Sequence, residues 1–347
     1  MSAIAATNGQ PEMIRIGPVT ITGLAFLAPM SGVTDAPFRR LVWRHGAGLV
    51  ISEMTAGEAL ASGRPEAQLR AEGEGTGIRV VQLAGCEPRW MAEGARIAES
   101  GGADIIDINM GCPARRVTGS YSGSALMRDL DQAVSLIEAT VGAVSVPVTL
   151  KMRLGWDTQS INAPELARRA EIAGVHMITV HGRTRCQFYQ GRADWAAIRA
   201  VKATVAIPVV VNGDISSCAD AERALAQSGA DAVMLGRSVI GRPWLPGQMA
   251  RYLRDGAVED DPPIVVQKAD LVALYEDILR HYGTAVGMRH ARKHLRASTE
   301  AAVGLAGAAT PDTFARARND MLTAEDPAIV LRHIADVYDA AEQRRAA

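Results

Sequence analysis

Eight short apolar runs alternate with helical stretches along the first two thirds of this 347-residue chain. They lie near 24–28, 48–52, 79–83, 104–108, 147–151, 176–180, 207–211 and 232–235. Each run is continuously apolar rather than alternating, the pattern of parallel strands covered on both faces. The junctions repeat. Gly102-Ala103-Asp104, Gly174-Val175-His176 and Gly229-Ala230-Asp231 each stop a helix before a strand, with glycine available for the left-handed cap. Val146-Pro147-Val148 and Ile207-Pro208-Val209 lead into strands, where a first-position proline is tolerated. The expected fold is α/β, a (β/α)8 TIM barrel. A doubly wound sheet is the alternative, but no GxGxxG follows a strand and no GxxxxGK[ST] exists.

The pattern changes after Pro246. Asp261-Pro262-Pro263 reads as a linker, and the chain from about 265 onward is helical and alanine-rich, breaking near Gly304 to Pro311 and again at Pro327. We therefore expect a barrel domain over 14–247 and a small all-α helical-bundle domain over 262–345.

A chain of this size buries roughly 75% of its unfolded surface and needs no disulfide or metal to hold a core. Its four cysteines, Cys86, Cys112, Cys186 and Cys218, form no CxxC pair and no zinc spacing, so no metal is expected. The first ten residues are small and polar, unlike a signal peptide, and no apolar run approaches the ~20 residues of a membrane span. A reduced, cytoplasmic compartment is the expectation. The net charge of −1 gives no global attraction to nucleic acid, so RNA binding would have to come from local clustering of the 37 basic residues.

In such a barrel the working groups sit where strands end. Read in order, the exits offer Ala28-Pro29-Met30, Glu53-Met54, Gln82, Asn109 with Cys112, Lys151 with Arg153, His181 with Arg183, Asn212-Gly213-Asp214 and Gly236-Arg237. The last two exits fall where barrels commonly bind phosphate through backbone amides and a guanidinium. A lysine ending a buried strand is costly unless it meets an anion or polar ligand. Gln82 and Asn109 supply amides suited to the edge of a heterocyclic ring. The set fits flavin mononucleotide (FMN). Cys112 follows Asn109-Met110-Gly111 and is held in front of Pro113, on a turn rather than in a core. Thiols stay largely protonated at neutral pH yet donate more readily than hydroxyls, so this one suits a general acid beside a hydride donor. Cys86 and Cys186 read as structural, Cys218 as a helix or loop residue.

These motifs, with Leu27-Ala28-Pro29-Met30-Ser31-Gly32-Val33-Thr34-Asp35, Val81-Gln82-Leu83-Ala84-Gly85, Lys151-Met152-Arg153 and His181-Gly182-Arg183-Thr184, resemble the tRNA-dihydrouridine synthases, most closely the bacterial B type. The resemblance spans roughly 14–296 in the same order. It implies an FMN barrel followed by a tRNA-binding helical domain, and reduction of the 5,6 double bond of D-loop uridines, position 17 among them, with NADPH as electron source. It also implies roles. Pro29 and Met30 would back the flavin. Gln82, Lys151 and His181 would touch its ring and ribityl chain. Asn212, Gly213, Asp214, Gly236 and Arg237 would hold its phosphate end. Asn109, Arg153 and Arg183 would face the uracil, and Cys112 would protonate C5 after hydride reaches C6.

A uridine in folded RNA must be splayed out to reach a barrel floor, which requires a docking surface. Arg289, Arg292, Lys293 and Arg296 fall at i, i+3, i+4 and i+7, one helix face with no acid among them. Arg292-Lys293-His294 resembles the family's Lys-His signature, and His294 joins the expected tRNA contacts. The chain departs from the family just beyond, where Arg296-Ala297-Ser298-Thr299 stands in place of a Trp-Tyr pair. Two rival readings remain. One is an FMN barrel reductase of a free pyrimidine, which does not account for the helical tail. The other is a non-catalytic RNA-binding barrel, against which Cys112, Lys151 and His181 argue.

Overall fold

The computed structural model describes residues 13–304 and 312–346. The chain opens on a hairpin absent from the eight-strand reading: β1 (Met13–Ile16) pairs antiparallel with β2 (Val19–Thr22), from Met13↔Thr22 to Ile16↔Val19. Alternation puts Ile14, Ile16 and Ile21 on one buried face. That face packs with Phe26, Leu49, Ile51, Val80, Ile105 and Val210 of the barrel interior, so the hairpin plugs one end of the barrel. Two four-residue strands on a Gly17-Pro18 turn carry too short a pattern to stand out from a loop.

The barrel strands follow: β3 (Ala25–Leu27), β4 (Leu49–Val50), β5 (Thr55–Ala56), β6 (Val80–Ala84), β7 (Ile105–Met110), β8 (Val148–Arg153), β9 (Met177–His181), β10 (Val209–Asn212) and β11 (Ala232–Leu235). All pair in parallel, in the order β4-β3-β11-β10-β9-β8-β7-β6-β5. β4 and β5 are two pieces of one interrupted strand. Ile51 bridges Val80, and Ser52 N donates to Val80 O at 3.1 Å, closing the sheet on itself. The (β/α)8 expectation is met.

Around the barrel lie α1 (Ala36–Arg44), α2 (Gly57–Ala61), α3 (Pro65–Ala71), α4 (Pro88–Ser100), α5 (Arg115–Thr118), α6 (Leu130–Val141), α7 (Ala163–Ile172), α8 (Ile198–Lys202), α9 (Cys218–Ser228) and α10 (Leu245–Asp255). The Gly-Ala-Asp junctions do two jobs. Gly229 takes φ +68° to end α9, and Asp231 accepts from Val209 N at 2.7 Å, pinning the first residue of the neighbouring strand. Asp104 does the same to Arg79 N at 2.7 Å.

Beyond α10, Asp261 accepts from Arg242 Nη2 and Trp244 Nε1, both at 2.8 Å, tying the connecting segment to the barrel. Four helices follow: α11 (Ile264–Tyr282), α12 (Thr284–Ala302), α13 (Asp312–Thr323) and α14 (Pro327–Ala346). They pack on one another through Leu271, Leu274, Ile278, Leu295, Ile334 and Val337. The expected break at 305–311 and the first ten residues lie outside the described residues. Among the described residues no helix is long and apolar enough to cross a membrane.

Candidate active site

A cavity of about 980 Å³ opens at the C-terminal ends of the barrel strands. Its wall takes Pro29 and Met30 after β3, Met54 before β5, Gln82 from β6, Asn109 and Cys112 from β7 and its exit loop, and Lys151 and Arg153 from β8. His181 and Arg183, then Asn212, Gly213 and Asp214, then Gly236 and Arg237 complete it. Residues far apart in sequence meet here because eight parallel strands all end on one face.

One hydrogen-bond chain runs through the floor. Asp107 is fully buried; its carboxylate accepts from Thr149 Oγ1 at 2.6 Å and from Gln82 Nε2 at 2.7 Å. Gln82 Oε1 accepts from Asn109 Nδ2 at 2.8 Å. Asn109 Oδ1 accepts from Cys112 N at 3.0 Å and Gly111 N at 3.2 Å. On the other side, Ser124 N and Oγ donate to Cys112 O at 3.1 and 2.9 Å. The cysteine's backbone is thus held from both flanks. Both amide oxygens are committed, and each amide nitrogen keeps one N–H to offer the cavity, so the floor presents donors. Asp107 sets this polarity. Sequence reasoning passed over it inside the apolar run Ile106–Ile108, although a carboxylate there is itself a sign of a buried partner. Burial raises its pKa, opposed by the Thr149 and Gln82 hydrogen bonds and the Lys151 charge.

Lys151 is buried and donates to Asn212 Oδ1 at 3.1 Å, while Asn212 Nδ2 donates to Met234 O at 2.8 Å. Burial first, then the charge of Arg153, pushes the Lys151 pKa down to about 8. His181 is held well below its ordinary value by burial and then by Lys151, Arg153, Arg183 and Arg237, so it is neutral at pH 7. Arg183 Nη1 lies 3.3 Å from His181 Nε2; a guanidinium only donates, so Nε2 is the accepting nitrogen.

Three expected contacts take different roles. Arg183 is buried with all five N–H groups engaged: Nε to Gln190 O, Nη1 to His181 and Asp214, Nη2 to Gly191 O and Asp214. It has no donor left for a uracil, and holds the β9 exit loop instead. Asp214, expected at a phosphate, turns its carboxylate to Arg183 (2.5 and 3.0 Å), to Ala193 N (2.8 Å) and toward Arg237 (3.5 Å). A carboxylate would repel phosphate; what this position can offer an anion is its backbone amide. Burial raises its pKa, but the Arg183 hydrogen bonds, the Ala193 amide and the two guanidiniums outweigh that and hold it below the usual range. Arg153 donates to Gly111 O, Thr184 O and Phe188 O, all at 2.8 Å, leaving only Nη2 spare.

The corner expected to hold phosphate is built on Gly213, Asp214, Gly236 and Arg237. Gly213 has φ +116°, and a Cβ there would meet the His181 ring at 2.9 Å. Any side chain would therefore both strain the backbone and displace the histidine. Among the described residues, the Asp214 and Ile215 amides donate to no protein acceptor. Arg237 is largely exposed and lies 4.9 Å over the Tyr189 ring. Tyr189 and Phe188, at the cavity mouth, were not anticipated; they lie in an irregular loop with no periodicity to mark them.

The basic face of α12 divides. Arg289 and Arg292 are exposed, and among the described residues neither is in ion-pair contact with a carboxylate. Arg296 pairs with Glu300 at 3.0 Å, so that end of the face does have an acid. Lys293 is only partly exposed and leans toward the barrel. His294 is 1% exposed, its ring centroid 4.6 Å from that of Phe38, and burial pushes its pKa down to about 3. It packs the interface between α12 and α1 and cannot touch RNA. The departure at 297–299 has a steric setting: a Cβ on Gly241 would lie 2.5 Å from Ala297 O, so α12 runs hard against the barrel there. Cys186 is exposed, not a packing residue.

Comparison with known proteins follows the same lines. A family model described as dihydrouridine synthase matches residues 26–339. A probable tRNA-dihydrouridine synthase of Rhodobacter capsulatus is 52% identical over 95% of this chain and 98% of its own. Another, of Rhizobium leguminosarum bv. phaseoli, is 56% identical over 80% of this chain and 85% of its own. A tRNA-dihydrouridine synthase B of Xanthomonas campestris is 47% identical over 81% and 85%. Among solved structures, morphinone reductase superposes with TM-score 0.53 at 15% identity, covering 75% of this chain and 93% of that one, a likeness of fold.

Proposed function

The chain belongs to the dihydrouridine synthase family and is a flavin-dependent tRNA-dihydrouridine synthase; from that premise we propose that its flavin is FMN, its electron donor NADPH and its substrate the D-loop uridines of tRNA, position 17 among them. The cavity suits FMN in its donor set. Spare N–H groups of Gln82 and Asn109 and the Lys151 ammonium suit the carbonyl and nitrogen acceptors of the ring edge. The amides of Asp214 and Ile215, which meet no protein acceptor among the described residues, with Gly236 and the largely exposed guanidinium of Arg237, suit the phosphate. Pro29 and Met30 would back the ring. When bound and reduced, the flavin supplies hydride.

Cys112 supplies the matching proton, to uracil C5, leaving a thiolate that solvent reprotonates. Proton transfer from a placed group contributes about 10² to 10⁴ in rate. The single observation behind this reading is the clamped backbone of Cys112, which sets a thiol at the cavity wall beside the Asn109 donor. Asn109 orients the uracil, with Arg153 Nη2 within the same wall. Neutral His181, whose Nε2 accepts from Arg183, can donate from Nδ1 without adding charge. No dinucleotide motif is needed, because NADPH and then tRNA use the same mouth in turn, a ping-pong order. Exposed Arg289 and Arg292 contact tRNA phosphates.

The test is anaerobic. The purified protein is reduced with NADPH, unmodified tRNA transcript is added, flavin absorbance is followed and dihydrouridine is mapped by position. Reoxidation with new dihydrouridine in the D-loop is expected. A flavin that stays reduced, or purified protein without flavin, would overturn the reading.

A further inference from the structure

A second polar cluster lies between the barrel and the helical bundle, outside the cavity wall. The Gly32 amide donates to the Glu53 carboxylate, and Glu53 is 3% exposed. Asp35 is 2% exposed; its Oδ1 caps α1 at Phe38 N (3.1 Å), and its Oδ2 has no hydrogen-bond partner among the described residues. The buried guanidinium of Arg39 is committed to Thr34 O at 2.6 Å and to Glu72 O. Over this pair stands Lys293 of α12: a Cβ on Gly32 would lie 3.3 Å from its Nζ. Two buried carboxylates are costly without a cation, and a partly buried ammonium is costly without an anion. Each side offsets the other in part: among the described residues no ion pair joins Lys293 to either carboxylate, burial still raises the Asp35 pKa to about 6 and lowers that of Lys293, and the Asp35 and Glu53 charges oppose the lowering from a distance.

What the cluster grips is the turn after β3. Val33 N and Thr34 N both donate to Met30 O (2.9 and 3.0 Å), and Met30 N donates to Thr34 Oγ1 at 2.8 Å. Three residues of this turn, Met30, Ser31 and Val33, line the cavity. The turn is rigid within itself, so its placement depends on what holds Gly32 and Asp35 from behind.

We infer that Lys293 is a positioning residue: carried on the helical bundle, its ammonium acts through Asp35 and Glu53 to set the Met30–Thr34 turn against the cofactor cavity, joining the RNA-docking helix to the reacting centre. The inference rests on the flavin and tRNA reading above. It separates Lys293 from its exposed neighbour Arg292, which sequence spacing groups with it.

The experiment compares Lys293→Met, Lys293→Arg and Arg292→Ala in the full-length, flavin-loaded protein. It measures kcat and KM for tRNA, the visible flavin band and the salt dependence of tRNA binding. Lys293→Met is expected to lower kcat at least about tenfold, as a displaced reacting group does, and to shift the flavin band, leaving the salt slope unchanged. Lys293→Arg restores band and kcat in large part. Arg292→Ala does the reverse: KM rises, the salt slope falls by about 0.7 to 0.9, and the band stays in place. The inference is overturned if Lys293→Met behaves like Arg292→Ala, or if it changes neither kcat nor the band. Should Lys293→Met fail to load flavin, Glu53→Gln is added to it. Recovery of loading supports the coupling, and loading that stays absent overturns it. Wild-type protein that fails to reduce tRNA would instead defeat the functional reading before any variant is compared.

Discussion

The cavity floor and the outer face of α12 are built from similar charged and polar side chains, yet they differ in how many of their hydrogen-bonding groups are already in use. On the floor, Arg183 has every N–H engaged, Arg153 all but Nη2, and Asp107, Gln82 and Asn109 form a chain that leaves one N–H on each amide. On α12, Arg289 and Arg292 are exposed, and among the described residues no carboxylate is in ion-pair contact with either. Burial forces polar groups to find partners within the protein, and a group with every N–H engaged positions others, while one with an N–H to spare can still meet a ligand. Exposure leaves a charge free for a phosphate. The difference shows that residue type at a strand exit marks the neighbourhood of a site, while the state of its hydrogen bonds decides its role.

The comparison breaks most visibly at Cys112, whose backbone is held by hydrogen bonds while its Sγ makes none among the described residues. Cys112→Ala should keep flavin and NADPH oxidation while tRNA reduction falls by about 10² to 10⁴. Normal dihydrouridine formation by that variant would remove the acid role.

Next in size is Asp214→Ala, which leaves the buried Arg183 guanidinium without its carboxylate. We expect a loss of about 3 kcal/mol, read as a lower urea midpoint at unchanged slope. Asp214 has a depressed pKa, so its contribution is present above the ordinary carboxylate range and is lost only as pH falls through that lowered value. The variant should lose that acid-dependent part. A midpoint equal to wild type would make Arg183 a group free to bind ligand.

A third test uses pH. With its pKa near 8, the Lys151 ammonium loses its proton earlier than an ordinary lysine. FMN rebinding to the apoprotein should be flat below about pH 8 and weaken above it, by at most about tenfold per pH unit. Lys151→Met should bind weakly at every pH. The unfolded chain keeps this proton up to about 10.5, so over the same window this group makes the apoprotein more stable as pH rises. Rebinding that is flat to pH 10 would show that Lys151 does not meet the cofactor.

The smallest effect is expected on the outer face. Arg289→Ala with Arg292→Ala should lower the salt slope of tRNA binding by about 0.7 to 0.9 for each phosphate no longer neutralised, with the flavin spectrum intact. An unchanged slope would make this an ordinary solvated face and erase the contrast between the two regions.

Much of this was legible in the order of residues. Eight apolar runs, the Gly-Ala-Asp junctions and the polar exits follow from short-range periodicity and from dihedral preferences that neighbouring residues carry themselves. The place of Cys112 was legible for the same reason, because Asn109 binds the backbone only two and three residues ahead. The hairpin plug was not, since four-residue strands are too short for a pattern to rise above loop sequence.

Roles that depend on which faces meet were decided only in three dimensions. Arg183 and Asp214 stand 31 residues apart and satisfy each other because β9 and β10 are neighbours in the barrel. His294 and Lys293 fall on a helix whose basic spacing suggests solvent, yet α12 packs on the barrel, so one is buried on Phe38 and the other stands over Gly32. Sequence alone determined the fold and the place of the Cys112 thiol at a strand exit, because local interactions encode both. Tertiary structure decided which charges are engaged within the protein and which stay exposed, because desolvation and partner choice depend on the whole packed surface around each group.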